Sequence, residues 1–167
     1  KIDEPVYDKN LRIKNAYLEP EVEIYKDAKK VLEEADYILF GPGSLYTSII
    51  ATTLPKGFRE AIENSNSKLI YVAGNARHIN GETGPKKISE AVKELGMYLP
   101  RPLDFVVYNN HKLTKQEKDF YVSRGWESIP CDEENLSDTK VIQDDFERSG
   151  GGLCDEKLGG ILEKIIV

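Results

Sequence analysis

The run Asp36-Tyr37-Ile38-Leu39-Phe40-Gly41-Pro42-Gly43-Ser44-Leu45-Tyr46-Thr47-Ser48 gathers the residue types of this chain best suited to hold a ligand. A short apolar segment breaks into a Gly-Pro-Gly turn, followed by small hydroxyl residues and one exposed-looking aromatic, Tyr46. Gly41 and Gly43 let the backbone approach a bound group closely. Unpaired N–H groups at the start of a following helix, with the Ser44, Thr47 and Ser48 hydroxyls, favour an anion such as a phosphate. A second reading stays open, in which the turn only joins strand to helix and its hydroxyls only cap the helix.

Other chemistry-bearing residues lie in two polar stretches. Asn75, Arg77, His78, Glu82 and Thr83 fall between Gly74 and Pro85, and Asn109, Asn110 and His111 follow an apolar run. Arg77 could clamp phosphate oxygens through its planar guanidinium, or be a solvated surface arginine. Glu82 with Thr83 could bind a sugar hydroxyl or a metal-bound water, or Thr83 could cap the next helix. Tyr46 could stack on a ring or pack over the sheet edge. His78 and His111 have no ligand spacing to Cys131 or Cys154, which argues against a structural zinc site. No nucleophile–base pair emerges, and neither GxGxxG nor a Walker sequence is present.

The elements that must position these residues alternate between strand and helix. Alternation over Leu11–Leu18 predicts a strand ended by Glu19-Pro20. Apolar residues at 28, 31, 32 and 35 predict an amphipathic helix over Asp27–Ala35. Strands are expected at 37–40, 68–73 and 104–108, the second apolar throughout, as in a parallel strand buried on both faces. Helices are expected over 45–51, 55–64, 86–95, 114–122 and 155–166, with Thr114 and Glu117 forming a capping box. Residues 132–152 are acidic and end in three glycines, the composition of a mobile, solvated loop. The fold class is therefore α/β with a mostly parallel sheet. Ligands in such sheets sit beyond the carboxyl ends of the strands. Ser44, Tyr46, Asn75, Arg77, Glu82 and Asn109 would then line one crevice.

The 167 residues fit one domain, and 40% hydrophobic content is enough for a substantial core. A net charge of −6 without a basic stripe argues against nucleic acid as partner. No apolar run approaches the roughly 20 residues that span a bilayer, and two separated cysteines suit a reducing compartment. The expected location is cytoplasmic, away from membranes. The chain begins at Lys1, as a processed chain, an excised domain or a fragment would.

The string from Ala35 to Ile50, with Leu18-Glu19-Pro20, Gly57, Glu60-Ala61-Ile62, Tyr71-Val72 and Gly81-Glu82-Thr83, resembles the YvcK or gluconeogenesis-factor branch of the CofD-like superfamily. The likeness is strongest over residues 10–110. It implies a Rossmann-like three-layer α/β/α fold, incomplete without an N-terminal half. It also implies binding of UDP-N-acetylglucosamine or, in some members, a nicotinamide dinucleotide such as NAD(P). That branch supports cell shape and growth on gluconeogenic carbon, and no catalysis is established for it. The sister branch comprises phospholactate transferases of deazaflavin coenzyme biosynthesis, which would add Mg2+. The nucleotide-binding set implied here is Gly41, Gly43, Ser44, Leu45, Tyr46, Thr47, Ser48, Asn75, Arg77, Glu82, Thr83 and Asn109. Tyr46 matches the tyrosine directed at the nucleotide sugar. A small-molecule nucleotide is the expected partner, with self-association left open, and a purely non-catalytic interaction domain is a further alternative. The chain departs from the family pattern in three ways. It has about half the usual length, its 74–80 loop carries Ala-Arg-His-Ile-Asn, and Arg148 is the only nearby match for a nucleotide-contacting arginine.

Overall fold

The computed structural model describes residues 11–79 and 84–166. The elements run α1 (Lys26–Glu34), β1 (Tyr37–Phe40), a π-helix (Leu45–Ile50) continuing into α2 (Ala51–Thr53), α3 (Phe58–Asn64), β2 (Lys68–Val72) and β3 (Ala76–His78). They continue with α4 (Ile88–Gly96), β4 (Phe105–Asn109), α5 (Lys115–Ser123), β5 (Trp126–Ser128), a 3-10 turn (Glu133–Asn135), β6 (Lys140–Asp144) and α6 (Asp155–Leu162).

Four strands form a parallel sheet in the order β1-β2-β4-β6, with Phe40 beside Tyr71, Val72 beside Val107 and Val107 beside Ile142. The period of two along β2 divides its side chains between two cores. Leu69 and Tyr71 join Ile49, Ile50, Phe58, Ile62, Ile88 and Leu95 beneath the π-helix, α3 and α4. Ile70 and Val72 join Val107, Phe146, Leu158 and Ile161 beneath α6. Helices therefore cover both faces of a mostly parallel sheet, the expected α/β arrangement. At the amino end of the strands, Asp104 ties β2 to β4, accepting from Lys68 Nζ at 2.8 Å and Leu69 N at 2.9 Å.

Several expectations need correction. Residues 11–18 form no strand; Ile13 and Ala16 pack on the core, and Ala16 N donates to the Tyr98 hydroxyl at 2.9 Å. With no neighbouring strand to pair with, the β pattern there goes unused. The third helix starts at Phe58 rather than Pro55, because Lys56 is bonded to Val22 and Ile24 and Gly57 turns the chain at φ +89°. The polar stretch after β2 contains β3, which pairs antiparallel with β5.

The largest correction concerns residues 132–152. They contain β6, whose Val141 and Ile142 pack one on each core, so the acidic flanks conceal an edge strand. Phe146 is fully buried, and the glycines at 150–152 all take positive φ in a tight turn. A Cβ on Gly151 would lie 2.6 Å from the Phe120 ring, so this turn is a packed feature.

Candidate functional site

β1 delivers Gly41 to the carboxyl edge of the sheet at φ +93°, where a Cβ would sit 2.7 Å from the Val72 carbonyl oxygen. Only glycine meets both conditions, so the turn crosses the end of β2 at close quarters. The chain then enters the π-helix, where Ser44 O accepts from both Ser48 N at 3.1 Å and Ile49 N at 3.0 Å. The Ser44 side chain makes no cap to this helix. Six residues of π-helix supply little macrodipole, so an anion here must be held by other groups.

Those groups converge on a cavity of about 60 Å³, lined by Gly43 and Ser44 from the turn, Leu45 from the start of the π-helix, Gly74 from the β2–β3 connection, and Ala76 and Arg77 from β3. Tyr71, Gly84, Pro85, Ala91 and Ile129 complete the wall. At roughly 30 Å³ per water, it has room for one small polar group such as a phosphate. Arg77 is the only charged side chain on this wall among the described residues, and its guanidinium pairs with Glu127 on β5. Thr47 and Ser48 are exposed beside the turn.

Tyr46 is not exposed, contrary to expectation: it is buried in the first core. Its hydroxyl has no hydrogen-bond partner among the described residues. A buried unpaired hydroxyl costs about 1–3 kcal/mol, so its retention needs a reason. Glu82 and Thr83 lie outside the described residues.

Asn75 and Asn109 leave the presumed crevice for a buried carboxylate, Glu147. Its Oε2 accepts from Asn75 Nδ2 at 2.6 Å and Asn109 Nδ2 at 2.7 Å. Its Oε1 accepts from the Tyr121 hydroxyl at 3.1 Å and Gly152 N at 2.6 Å. Asn75 also donates to the Tyr121 oxygen at 2.9 Å. The two asparagines therefore brace the ends of β2 and β4 against the segment that follows β6. Burial, then the Glu147 charge, raises the Tyr121 hydroxyl well above the ordinary tyrosine range, so it stays a donor. Arg148 folds back onto Gly151 O at 3.3 Å and does not reach the cavity.

The model of the family described as 2-phospho-L-lactate transferase CofD matches residues 1–146. The chain belongs to the CofD family. Relatives include the putative gluconeogenesis factor of Thermotoga maritima, 37% identical over 79% of this chain and 42% of the relative. The gluconeogenesis factor of Bacillus subtilis is 30% identical over 80% of this chain and 43% of its own length. The crystal structure of protein BH3568 from Bacillus halodurans superposes with a TM-score of 0.78 at 25% identity, covering 90% of this chain and 50% of that one. This CofD-family chain thus spans about half the length of the relatives it matches.

Among the described residues no three His, Cys, Asp or Glu side chains are grouped to hold a metal ion. The described cavity wall carries one arginine and no carboxylate, and Glu82 lies outside the described residues. Among the described residues no helix is long and apolar enough to cross a membrane.

Two carboxylates escaped sequence reasoning, Glu147 and Glu127, as did the pairing of His111 with Glu117 and Asp145. His111 Nε2 lies 3.0 Å from Glu117 Oε2 and Nδ1 lies 3.1 Å from Asp145 Oδ2. The bond to Glu117 is the main reason the imidazole titrates above its ordinary range. Conversely His111, then the Thr114 N–H, hold Glu117 down at about 2. The capping box was the one available signal, since it places Glu117 at the start of α5.

Proposed function

We propose that this chain is the ligand-holding part of a cytoplasmic nucleotide-sugar-binding regulator, of UDP-N-acetylglucosamine type, serving gluconeogenic carbon metabolism and cell shape. One observation carries it. The glycine turn after β1 and the connection after β2 enclose a small cavity with Arg77 as its charged wall. Its size suits a phosphate and not a whole nucleotide sugar, so the base and sugar would extend over the rim past Thr47 and Ser48. Backbone N–H groups of a glycine turn and a guanidinium are the donors that a diphosphate requires. The relatives' name, gluconeogenesis factor, supports the metabolic part of this role.

The test is calorimetric titration of UDP-N-acetylglucosamine, with NAD as competitor, into the wild type, Ser44→Ala and Arg77→Gln. Saturable binding weakened by both substitutions supports the proposal, and displacement by NAD would make a dinucleotide the better ligand. Binding indifferent to both substitutions, or none, would overturn it.

The description of the matching family model favours a second reading, a transferase that joins a phospholactyl group to a deazaflavin. Mg2+-dependent turnover of a nucleotide-activated phospholactate with a deazaflavin acceptor would establish that reading over the first.

A further inference from the structure

β3 and β5 form a two-stranded antiparallel ribbon at the carboxyl edge of the parallel sheet, with Arg77 directly opposite Glu127 in register. The ribbon is fixed at several points. Ile79 N donates to Gly125 O at 2.8 Å and Ile129 N to Asn75 O at 3.2 Å. Trp126 packs edge-on against Phe120 and Tyr121 of α5, with ring centroids 6.1 and 5.9 Å away. Glu127 is therefore held where it meets the guanidinium of Arg77, a residue of the cavity wall. The pair is only part-buried, with 24% of the Arg77 side chain and 42% of Glu127 exposed.

We infer that Glu127 is an internal competitor for Arg77, so that an anionic ligand enters the cavity only by displacing this carboxylate. The inference rests on the phosphate-binding role proposed above and names its regulation and ligand class. A part-exposed ion pair is weak enough to be exchanged. A single carboxylate occupies the guanidinium as well as a monoanion would, so the exchange favours a ligand that brings more charge and a bidentate oxygen pair. A diphosphate, with two charges and oxygens on both phosphates, meets these conditions. A neutral sugar or nucleoside gains nothing from Arg77. Glu127 also repels any anion placed beside its partner, and thereby sets the charge threshold for entry.

Titration of UDP-N-acetylglucosamine, inorganic pyrophosphate and uridine into the wild type, Glu127→Gln, Arg77→Gln and the double variant tests this, with thermal melts confirming that each variant folds. Glu127→Gln is expected to tighten the two diphosphates by roughly two- to fivefold, the worth of a part-exposed ion pair. It should leave uridine unchanged, and in the Arg77→Gln background it should have no effect. Diphosphate binding gained by Glu127→Gln and absent in the wild type would support the competitor role equally. Weaker binding in Glu127→Gln would show that the carboxylate aims the arginine instead, and overturn the inference. So would an equal gain in the Arg77→Gln background. Wild-type binding without a gain removes the competitor alone and leaves the nucleotide-sugar role standing. No diphosphate binding by any of the four proteins removes both.

Discussion

The side-chain amide of Asn75, at the end of β2, donates to the buried Glu147 carboxylate, 72 residues later in the chain, at 2.6 Å. Glu147 is 2% exposed, and three further donors from β4, α5 and the glycine turn converge on it. One carboxylate thus binds the carboxyl edges of β2 and β4 to the segment following β6, and so fixes the approach to β3, which carries Arg77.

Replacing Glu147 by alanine strands these donors in a buried site. A single unsatisfied buried group costs about 1–3 kcal/mol, so a loss of about 3 kcal/mol or more is expected. Urea denaturation should show a lower midpoint, and amide exchange over residues 74–77 should accelerate. A wild-type midpoint would mean that the carboxylate carries no structural weight.

Gly41→Ala combines a left-handed φ with a Cβ 2.7 Å from the Val72 carbonyl. A destabilisation of about 3 kcal/mol is expected, within the range for strained backbone plus overlap. Gly43→Ala meets side chains only, the nearest being the Ser48 Cβ at 3.2 Å, and should cost less. Thermal melts of the two variants give the order, and equal losses would contradict the geometry.

The apolar run of β2 and the glycines after Phe40 were legible in the sequence because local sterics and burial on both faces leave a direct imprint. The capping box at Thr114 was legible for the same reason. β6 was not, because an edge strand with charged ends resembles a solvated loop until its neighbour is known. The Glu147 network and the Arg77–Glu127 pair were invisible, since each is created by topology that joins distant segments. The place of Tyr46 after a turn suggests exposure and leaves its packing open, and the π-helix turns it into the core.

Tyr46→Phe separates stability from binding. Removing an unpaired buried hydroxyl should raise the stability of the ligand-free protein by about 1 kcal/mol. The same change should weaken UDP-N-acetylglucosamine binding if the hydroxyl is kept for a ligand. Lower stability in Tyr46→Phe would show that the hydroxyl is already satisfied in solution.

His111 predicts a pH dependence of defined sign. Its folded pKa is raised by Glu117 and Asp145, so its stabilisation is fully present below the unfolded value of about 6.5. It is lost as pH rises through the higher folded value. Denaturation at a series of pH values should show wild type losing stability relative to His111→Gln across neutrality. Glu117, held at about 2, acts oppositely: its contribution is present above the ordinary glutamate range and is lost as pH falls toward 2. A wild-type-minus-variant difference that grows with rising pH would contradict the assignment.

We propose that the glycine turn and β3, through Arg77, together receive a diphosphate. The most direct test is to map backbone amide chemical shifts by NMR while UDP-N-acetylglucosamine is added. The account predicts saturable shifts concentrated at Gly43, Ser44, Gly74, Ala76 and Arg77, with Glu127 moving as its partner leaves. Shifts confined to another surface, such as the groove between α4 and the Asn135–Thr139 segment, would contradict it.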